Sequence, residues 1–486
     1  MNSARFVETK EADHVLRVGM FGTGLHAYWD QFAGLRERLE GYTSEVARRL
    51  EQPGVEVVNA GLIDTVEKAF RAGDDFRRAA IDILLIHVAT YTLSATVLPV
   101  VRRAKVPVLV LNLAPEAAID YRHFNALPGR TAMTGEWLAY CQACGVPEIA
   151  NVFRRARIPF TEIAGVLHGD DSAWGEIQEW IEAAKVARVL ENNRLGVMGH
   201  YYSGMLDIYS DLTEQCVTLG GHIEHIEVDE LAALRELVCE SQIRERVAHF
   251  RAVFDVQPDC LEEELDRAAR TSVALDQLVG KHRLGSMAYY YKGTGNPANE
   301  DTMSSIILGT SLLTARGIPV AGEYEIKNAQ AMKILDAFGA GGSFTEYYAA
   351  DFHDDVLLMG HDGPGHLAIA EGKIKVRSLR AYHGKVGQGL SVEMSVKHGD
   401  VTLLAIAEGA DGRLKFLIAE GQSVPGPILE IGNTNSRYRF SLGVRQFMQK
   451  WNAQGPAHHC AIGVGHIAGK LQKLAELVGV EAVRVC

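Results

Sequence analysis

The sequence predicts an α/β protein in which two doubly wound, parallel-sheet α/β domains precede an antiparallel, barrel-like β domain. Apolar, β-branched runs alternate with amphipathic stretches over the first third of the chain, and the alternation resumes after about residue 190. After about residue 350 it gives way to short alternating segments separated by turn residues. The first pattern is typical of parallel sheets covered on both faces, and the second is typical of barrels and sandwiches. We therefore expect domains at 1–190, 191–350 and 351–486.

The first predicted domain begins with a strand at 14–21, HVLRVGMF. Further short apolar runs predict strands at 55–59, 81–88 and 106–113, and helical spacing covers 32–50 and 66–80. The first strand runs into Gly22-Thr23-Gly24, at the strand edge where open α/β sheets bind ligands. No third glycine follows at the spacing of GxGxxG, so the sequence does not predict a dinucleotide site there.

The second predicted domain depends on strands at 194–199, 222–228 and 283–290, with helical spacing over 230–257 and 261–280. The third is indicated by alternating segments that are separated by turn signals such as Glu371-Gly372 and Asp411-Gly412. These segments lie at 355–360, 373–379, 390–397, 401–407 and 414–419. An amphipathic helix at 467–478 is expected to close the chain.

Composition narrows the classes of function. The chain has 486 residues, of which 47% are hydrophobic and 23% charged, which is ordinary for a folded globular protein. Its 49 Lys and Arg against 61 Asp and Glu give a net charge of -12, the wrong sign for a general nucleic-acid binder. The sequence contains no charge-free run of 18 or more apolar residues, so it predicts no membrane span, and no secretory signal is visible at the N-terminus. We therefore expect a cytoplasmic protein without a nucleic-acid or membrane partner.

Seven cysteines, an odd number scattered along the chain, fit reduced thiols better than a disulfide framework. Cys141-Gln142-Ala143-Cys144 is a lone CxxC with no second pair. A zinc or redox role is the weaker interpretation, and two thiols one helical turn apart is the stronger one.

Side chains suited to catalysis and metal binding are concentrated between residues 319 and 366. Glu323 follows a predicted strand, Glu346 follows a glycine-rich turn, and His361 ends another apolar strand. A fourth candidate lies in the His458-His459 pair, after a Pro-Ala turn. Oxygen and nitrogen ligands from separate elements suit a cation such as Mn²⁺ or Mg²⁺. Isolated glutamates are usually solvated, however, and spacing alone does not show that these side chains converge.

Three strings resemble the motifs of L-arabinose isomerases, in the same order and with similar separations: AGEYEIK, SFTEYYAADFHDDVLLMGH and PAHHC. The resemblance is clear over about 319–361 and collinear over nearly the full length. It implies an intramolecular oxidoreductase, a metal-dependent aldose–ketose isomerase that converts a sugar through a cis-enediol(ate). It also implies a homo-oligomer, trimer or hexamer, with sites between subunits. The cofactor would be Mn²⁺ or another divalent cation such as Mg²⁺ or Co²⁺.

The resemblance also assigns residues. The metal ligands would be Glu323, Glu346, His361 and His459, and the two glutamates would supply the catalytic acid and base. The substrate would contact Tyr348, Met205 and His26.

The sequence also departs from the family pattern. The glutamine that usually precedes the His-Leu-Tyr string is absent from the stretch around His26, and Met133 stands where a TAHGG-like string has a histidine. After His361 the chain continues as a Gly/Pro turn at 362–366, unlike the family. We therefore expect a substrate other than L-arabinose. An epimerase or isomerase of another sugar derivative with the same metal site, or a non-catalytic sugar-binding protein, are the alternatives.

Overall fold

The structure, a computed structural model, describes residues 15–293, 295–379 and 388–486. These residues form two compact units, 15–188 and 189–486. Within the described ranges, no helix combines the length and apolar character that crossing a membrane requires. His14, the first residue of the first predicted strand, lies outside the described residues.

The unit 15–188 contains a parallel five-stranded sheet in the order β2-β1-β3-β4-β5. Its strands are β1 (Leu16–Thr23), β2 (Val55–Ile63), β3 (Ile83–His87), β4 (Val108–Ala114) and β5 (Thr161–Val166). Its helices are α1 (Leu35–Leu50), α2 (Val66–Ala79), α3 (Leu98–Ala104), α4 (Tyr121–Asn125), α5 (Gly129–Leu138), α6 (Gln142–Arg155) and α7 (Asp171–Glu191), the last of which extends into the second unit. The four strands predicted in this region are present, and β5 is an addition.

The strands and helices of this unit could be predicted from the sequence because their burial determines where apolar residues stand. All five residues of β3 are buried, so the strand is an unbroken apolar run up to His87. Helix α2 shows the complementary pattern, because only one face, which includes Ala69 and Phe76, is buried. Its first turn is capped by Thr65, whose hydroxyl accepts a hydrogen bond from the Lys68 N–H at 3.3 Å.

The unit 189–486 begins with a second parallel sheet, of order β10-β9-β6-β7. Its strands are β6 (Arg194–Gly199), β7 (His222–Ile226), β9 (Ser286–Tyr290) and β10 (Val320–Ala321). The helices that accompany it are α8 (Leu212–Leu219), α9 (Val228–Glu236), α10 (Glu240–Val253), α11 (Glu262–His282), α12 (Pro297–Ser304), α13 (Ile307–Ala315) and α14 (Ile326–Ala337). The helical stretch predicted at 230–257 is two helices, because the chain breaks at Cys239, the N-cap of α10.

Six antiparallel strands of the same unit form a closed barrel. They follow the order β15-β18-β11-β12-β17-β16, and pairing of β15 with β16 closes the ring. The strands are β11 (Ser343–Asp351), β12 (Val356–His361), β15 (Gly399–Glu408), β16 (Leu414–Val424), β17 (Thr434–Phe440) and β18 (His459–Val464). The predicted fold class, parallel α/β sheets followed by an antiparallel barrel, is confirmed.

The remaining elements lie around the barrel. A small sheet joins β8 (Asp255–Val256) to β13 (Lys375–Leu379) and β14 (Gly389–Glu393), while β19 (Glu481–Arg484) runs parallel to β16. The last two helices are α15 (Gly443–Asn452) and α16 (Ala468–Val478). The predicted domain boundary near residue 350 falls within β11 and stays a prediction.

Helix α14 connects the parallel sheet to the barrel. It contacts β9 and β10 on one side and β15 and β18 on the other. Nine of its twelve residues are therefore buried, among them the charged residue Lys327. Because α14 begins directly after the turn at the end of β10, it holds that turn beside the ends of barrel strands.

Candidate metal centre

Strand register brings Glu346 and the two predicted histidine ligands together. In the barrel, Glu346 of β11 pairs with His459 of β18 on one side and with Gly360 of β12 on the other. His361 is the residue after Gly360 and ends β12. One possible ligand atom from each of Glu346, His361 and His459 lies within 4.8 Å of the others.

Glu323 reaches the same place from the end of β10. Its Oε2 lies 3.4 Å from Nε2 of His459, and its Oε1 lies 3.9 Å from Nε2 of His361. The structure therefore brings together all four side chains that the resemblance assigns to the metal.

The turn that carries Glu323 has an unusual backbone. Glu323 and the next residue, Tyr324, both have positive φ angles, 56° and 61°. Two consecutive non-glycine residues in this region cost of the order of 1–3 kcal/mol each, and such strain is concentrated at functional sites. Two backbone hydrogen bonds of 3.0 Å hold the turn, from Tyr324 N–H to the Tyr289 carbonyl and from Glu325 N–H to the Gly322 carbonyl. The fold thus offsets local strain in order to direct the Glu323 carboxylate toward the histidines.

Glu325 orients His459 from the side away from this cluster. Its carboxylate is 1% exposed and makes a short hydrogen bond with Nδ1 of His459, whose side chain is fully buried. Burial raises the pKa of Glu325 well above its ordinary value; Lys327 opposes this shift, and the charges of Asp207 and Glu323 add to it. Because Nδ1 is engaged, Nε2 is the ring atom of His459 that faces the cluster. A carboxylate behind a histidine in this way is the usual support of a metal ligand.

Electrostatics keep His459 suited to this role. Burial, and then the positive charges of His361 and His458, hold the pKa of His459 well below its ordinary value. The ring is therefore neutral at pH 7, as a metal-binding imidazole must be. Its Nε2 is buried and makes no hydrogen bond to any of the described residues. A buried polar atom without a partner is costly, and a cation at this position would remove that cost.

His361 is held by the residue that follows it. Its Nδ1–H donates to the Asp362 carbonyl oxygen at 2.6 Å, which leaves Nε2 facing Glu323. Burial alone would lower the pKa of His361, but the hydrogen bond and charge of Asp362, and the charge of Glu346, raise it above its ordinary value. Phe344 lies against both rings, with its centroid 4.4 Å from that of His361 and 4.4 Å from that of His459. Phe344 therefore gives the two imidazoles a shared apolar neighbour.

His458 is a further member of the cluster that sequence reasoning passed over in favour of His459. Asp207 holds it, accepting hydrogen bonds from the His458 backbone N–H at 2.9 Å and from Nδ1 at 2.6 Å. Its Nε2 lies 3.8 Å from Oε2 of Glu323 and 3.8 Å from Oε2 of Glu346. Burial would raise the pKa of Asp207, yet the bonds from His458 hold it below its ordinary value. His458 is thus a held imidazole that faces both glutamates.

The predicted substrate-contact residues have different positions. Tyr348 lies near the cluster: burial, followed by the charges of Glu346 and Asp362, raises its pKa. Met205 precedes a short 3-10 helix (206–208), two residues before Asp207. His26 is exposed and belongs to the other compact unit, 15–188.

Two residues of this site, Glu325 and Asp207, were not predicted, and His458 was named only as a member of the His458-His459 pair, without a role of its own. Glu325 stands within the AGEYEIK string, so the resemblance covered it without giving it a role. A single sequence shows no signal that this glutamate is buried or that Asp207 reaches His458, which is 251 positions away.

Two comparisons with known proteins agree with the motifs. Residues 341–485 match the family model described as L-fucose isomerase, C-terminal domain. The chain is also 22% identical to L-arabinose isomerase 1 of Bacillus licheniformis over 351 residues, which cover 71% of this chain and 70% of that protein. Both matches support an arabinose and fucose isomerase-like family for this chain, and with it an isomerase of the sugar-isomerase type.

Proposed function

We propose that this protein is a metal-dependent aldose–ketose isomerase that converts a sugar through a cis-enediol(ate). The observation that carries the proposal is the convergence of two glutamates and two histidines from four separate strand ends and turns. Mere sugar binding does not require this set. A buried imidazole nitrogen without a hydrogen-bond partner among the described residues also supports a cation at the site.

Glu323, Glu346, His361 and His459 would hold the cation. Carboxylate oxygens and imidazole nitrogens suit Mn²⁺, and Mg²⁺ or Co²⁺ could be accepted by the same donors. The cation would supply Lewis acidity, polarising the carbonyl group of the sugar. Glu325 and Asp362 would fix the imidazoles in the orientation that directs Nε2 inward.

The glutamates would move the protons. Isomerisation removes the proton from C2 of the aldose and returns a proton to C1, so it needs a base near both carbons. One of Glu323 and Glu346 would do this while the other assists transfer at the oxygens. His458 faces both carboxylates and is fixed by Asp207, so it can hold a proton at a sugar oxygen. Phe344 would exclude water, which strengthens the electrostatic interactions of these groups.

The resemblance supports two finer proposals about the whole protein. We propose that it works in the cytoplasm as a homo-oligomer, a trimer or hexamer, in which His26 and Met205 contact the sugar together with Tyr348. The missing glutamine and histidine indicate that the sugar-binding residues differ from those of arabinose isomerases, so the sugar is proposed to be another aldose or ketose.

A screen of aldoses and ketoses with saturating Mn²⁺ tests the proposal. We expect interconversion of at least one aldose–ketose pair, its loss with a chelator and its return with excess Mn²⁺. Formation of an epimer without the ketose would replace isomerisation with epimerisation. Sugar binding that is unchanged by the chelator, with no conversion of any sugar, would identify a binding protein and refute the proposal.

A further inference from the structure

Lys327 is a buried cation that takes no part in the proposed proton transfers. It lies in the first turn of α14 and is 4% exposed, although lysine is rarely buried unless its charge has partners. Its ammonium group donates to the Asp207 carbonyl oxygen at 2.6 Å and to the Tyr209 carbonyl oxygen at 3.3 Å. Both acceptors belong to residues 200–211, which we call the β6–α8 loop. One buried side chain therefore ties this loop to the helix that lies between the parallel sheet and the barrel.

The β6–α8 loop contacts the candidate metal centre at two points. The carboxylate of Asp207 accepts hydrogen bonds from the backbone N–H and from Nδ1 of His458. The ring of Tyr201 lies between two others, with its centroid 4.9 Å from that of Tyr209 and 4.8 Å from that of Tyr324, the second residue of the strained turn. Asp207 and Tyr209, whose carbonyl groups accept from the buried ammonium, are thus the residues through which the loop reaches the site.

We propose that Lys327 is a positioning residue that fixes the β6–α8 loop and, through Asp207, the imidazole of His458. The proposal rests on the proposed function, in which His458 holds a proton at a sugar oxygen. Because 37% of the His458 side chain is exposed, packing restrains the ring only in part, and the hydrogen bond to Asp207 restrains it further. That bond has a fixed direction only while the backbone of the loop is held, which is the task of the ammonium group.

The side chain of lysine suits this task because its three N–H donors stand at the end of a flexible stem and can serve two carbonyl groups at once. Methionine has an unbranched side chain that fills a similar space and offers no donor. Lys327→Met would therefore keep most of the packing of α14 and leave both loop carbonyl groups without this partner. The substitution separates the hydrogen bonds of Lys327 from the space that its side chain occupies.

Lys333 provides a matched control on the same helix. Its ammonium group also donates to a backbone carbonyl oxygen, that of Gly317, at 2.8 Å. Gly317 lies between α13 and β10, so this bond holds a different connection of the chain. Lys327→Met and Lys333→Met thus make the same chemical change on one helix, and they differ in which segment loses its donor.

Hydrogen–deuterium exchange of the metal-free full chain, read by mass spectrometry at residue resolution, tests the proposal without any sugar. The reporter is the His458 backbone N–H, which donates to Oδ2 of Asp207 at 2.9 Å. In Lys327→Met this N–H and the amides of the β6–α8 loop should exchange at least about tenfold faster than in the wild type, because the loop opens more often. In Lys333→Met both should stay within twofold. Unfolding temperatures establish that each variant is folded. If Lys327→Met does not fold, Lys327→Gln, whose shorter side chain is neutral, replaces it with the same expected direction.

A double-variant cycle tests the kinetic consequence with a sugar that the screen shows to be converted. Lys327→Met should lower kcat by about 10- to 100-fold, since misplacing a catalytic group by about 1 Å has a cost of this order, and it should change KM less. Added to His458→Gln, the same substitution should lower kcat by no more than about threefold, because the group that Lys327 positions is already absent. Lys333→Met should retain the kcat of the wild type.

Two results would overturn the proposal in the exchange experiment: a His458 N–H that exchanges within twofold of the wild-type rate in the folded Lys327 variant, or equal acceleration in Lys333→Met. In the kinetic cycle, losses of kcat that multiply in the double variant would overturn it, because Lys327 would then not act through His458. If no sugar is converted, the proposed function fails, and the exchange rates still decide whether Lys327 positions His458.

Discussion

Replacing Glu325 with glutamine tests whether Glu325 supports His459 as a proposed metal ligand, separately from any effect on folding. Glu325 is buried and contacts Nδ1 of His459, so glutamine keeps the shape of the side chain and removes a carboxyl group whose charged form a bound cation would favour. An amide is a weaker acceptor for the imidazole N–H and makes Nε2 of His459 less basic. Loss of such a support typically costs 10–100-fold in metal affinity, or about 1.4–2.7 kcal/mol.

The same numbers predict a change in stability. At a Mn²⁺ concentration of about 100 times the wild-type Kd, binding should stabilise the wild type by about 2.7 kcal/mol. If the affinity of Glu325→Gln is 10–100-fold lower, the same concentration should stabilise it by only about 1.4 to 0.4 kcal/mol. Without metal the variant should be nearly as stable as the wild type, because burial already disfavours the charged form of Glu325.

Isothermal titration with Mn²⁺ measures the affinity, and urea unfolding with and without the cation measures the stabilisation. Glu393→Gln is the matched control, because Glu393 makes an ion pair with Arg377 on the small β13–β14 sheet and should leave Kd unchanged. Binding of Mn²⁺ by Glu325→Gln within twofold of the wild-type affinity would refute this role of Glu325. The same would follow if Glu325→Gln lowered the free energy of unfolding equally with and without metal, because Glu325 would then have a structural role only.

Three further predictions follow from the site and from the N-terminal unit. Glu346→Gln should reduce turnover by about 10²–10⁴-fold at saturating Mn²⁺ and slow the exchange of the C2 hydrogen with solvent, because an amide is not a base. If excess Mn²⁺ restores both turnover and exchange, Glu346 is only a metal ligand and Glu323 is the base. L-Arabinose should have a lower kcat/KM than another sugar in the screen, since the missing glutamine and histidine remove hydrogen bonds to the substrate; an equal or higher value than for every other sugar would contradict this. Burial lowers the pKa of His87 to about 4, so the unfolded chain, with an ordinary value near 6.5, takes up its proton first as the pH falls. The free energy of unfolding is therefore highest above about pH 6.5 and should decrease by about 3 kcal/mol toward pH 4. Urea unfolding across that pH range measures the change. The variant His87→Asn, which can keep the contact with Thr43, should lack this pH dependence.

The order of strands and helices could be predicted from the sequence because the spacing of apolar residues along a segment reflects which of its faces is buried. Strand β3 is buried along its whole length and reads as an apolar run, while α2 buries one face and reads as amphipathic. Strands β11 and β18 were harder to recognise from the residues. They contain the polar residues Glu346 and His459, whose side chains face the site and interrupt the apolar pattern.

In the candidate site, too, the sequence indicated which residues take part but not how they are arranged in space. Chain order and the motif strings were enough to select Glu323, Glu346, His361 and His459 by resemblance. The distances between these side chains in space depend on how the barrel strands pair. That pairing places Glu346 opposite His459, 113 positions later in the sequence, and no local pattern encodes it.

Only the tertiary structure identified the residues that support this cluster. Glu325 is buried because α14 lies between a parallel sheet and the barrel, and Asp207 reaches His458 because a loop after β6 passes beside the start of β18. The sequence by itself determined the types of secondary structure and the chemical groups available, since both depend on neighbouring residues. The orientation of the imidazoles was decided by folding, because a hydrogen bond exists only when backbone geometry brings its two atoms together.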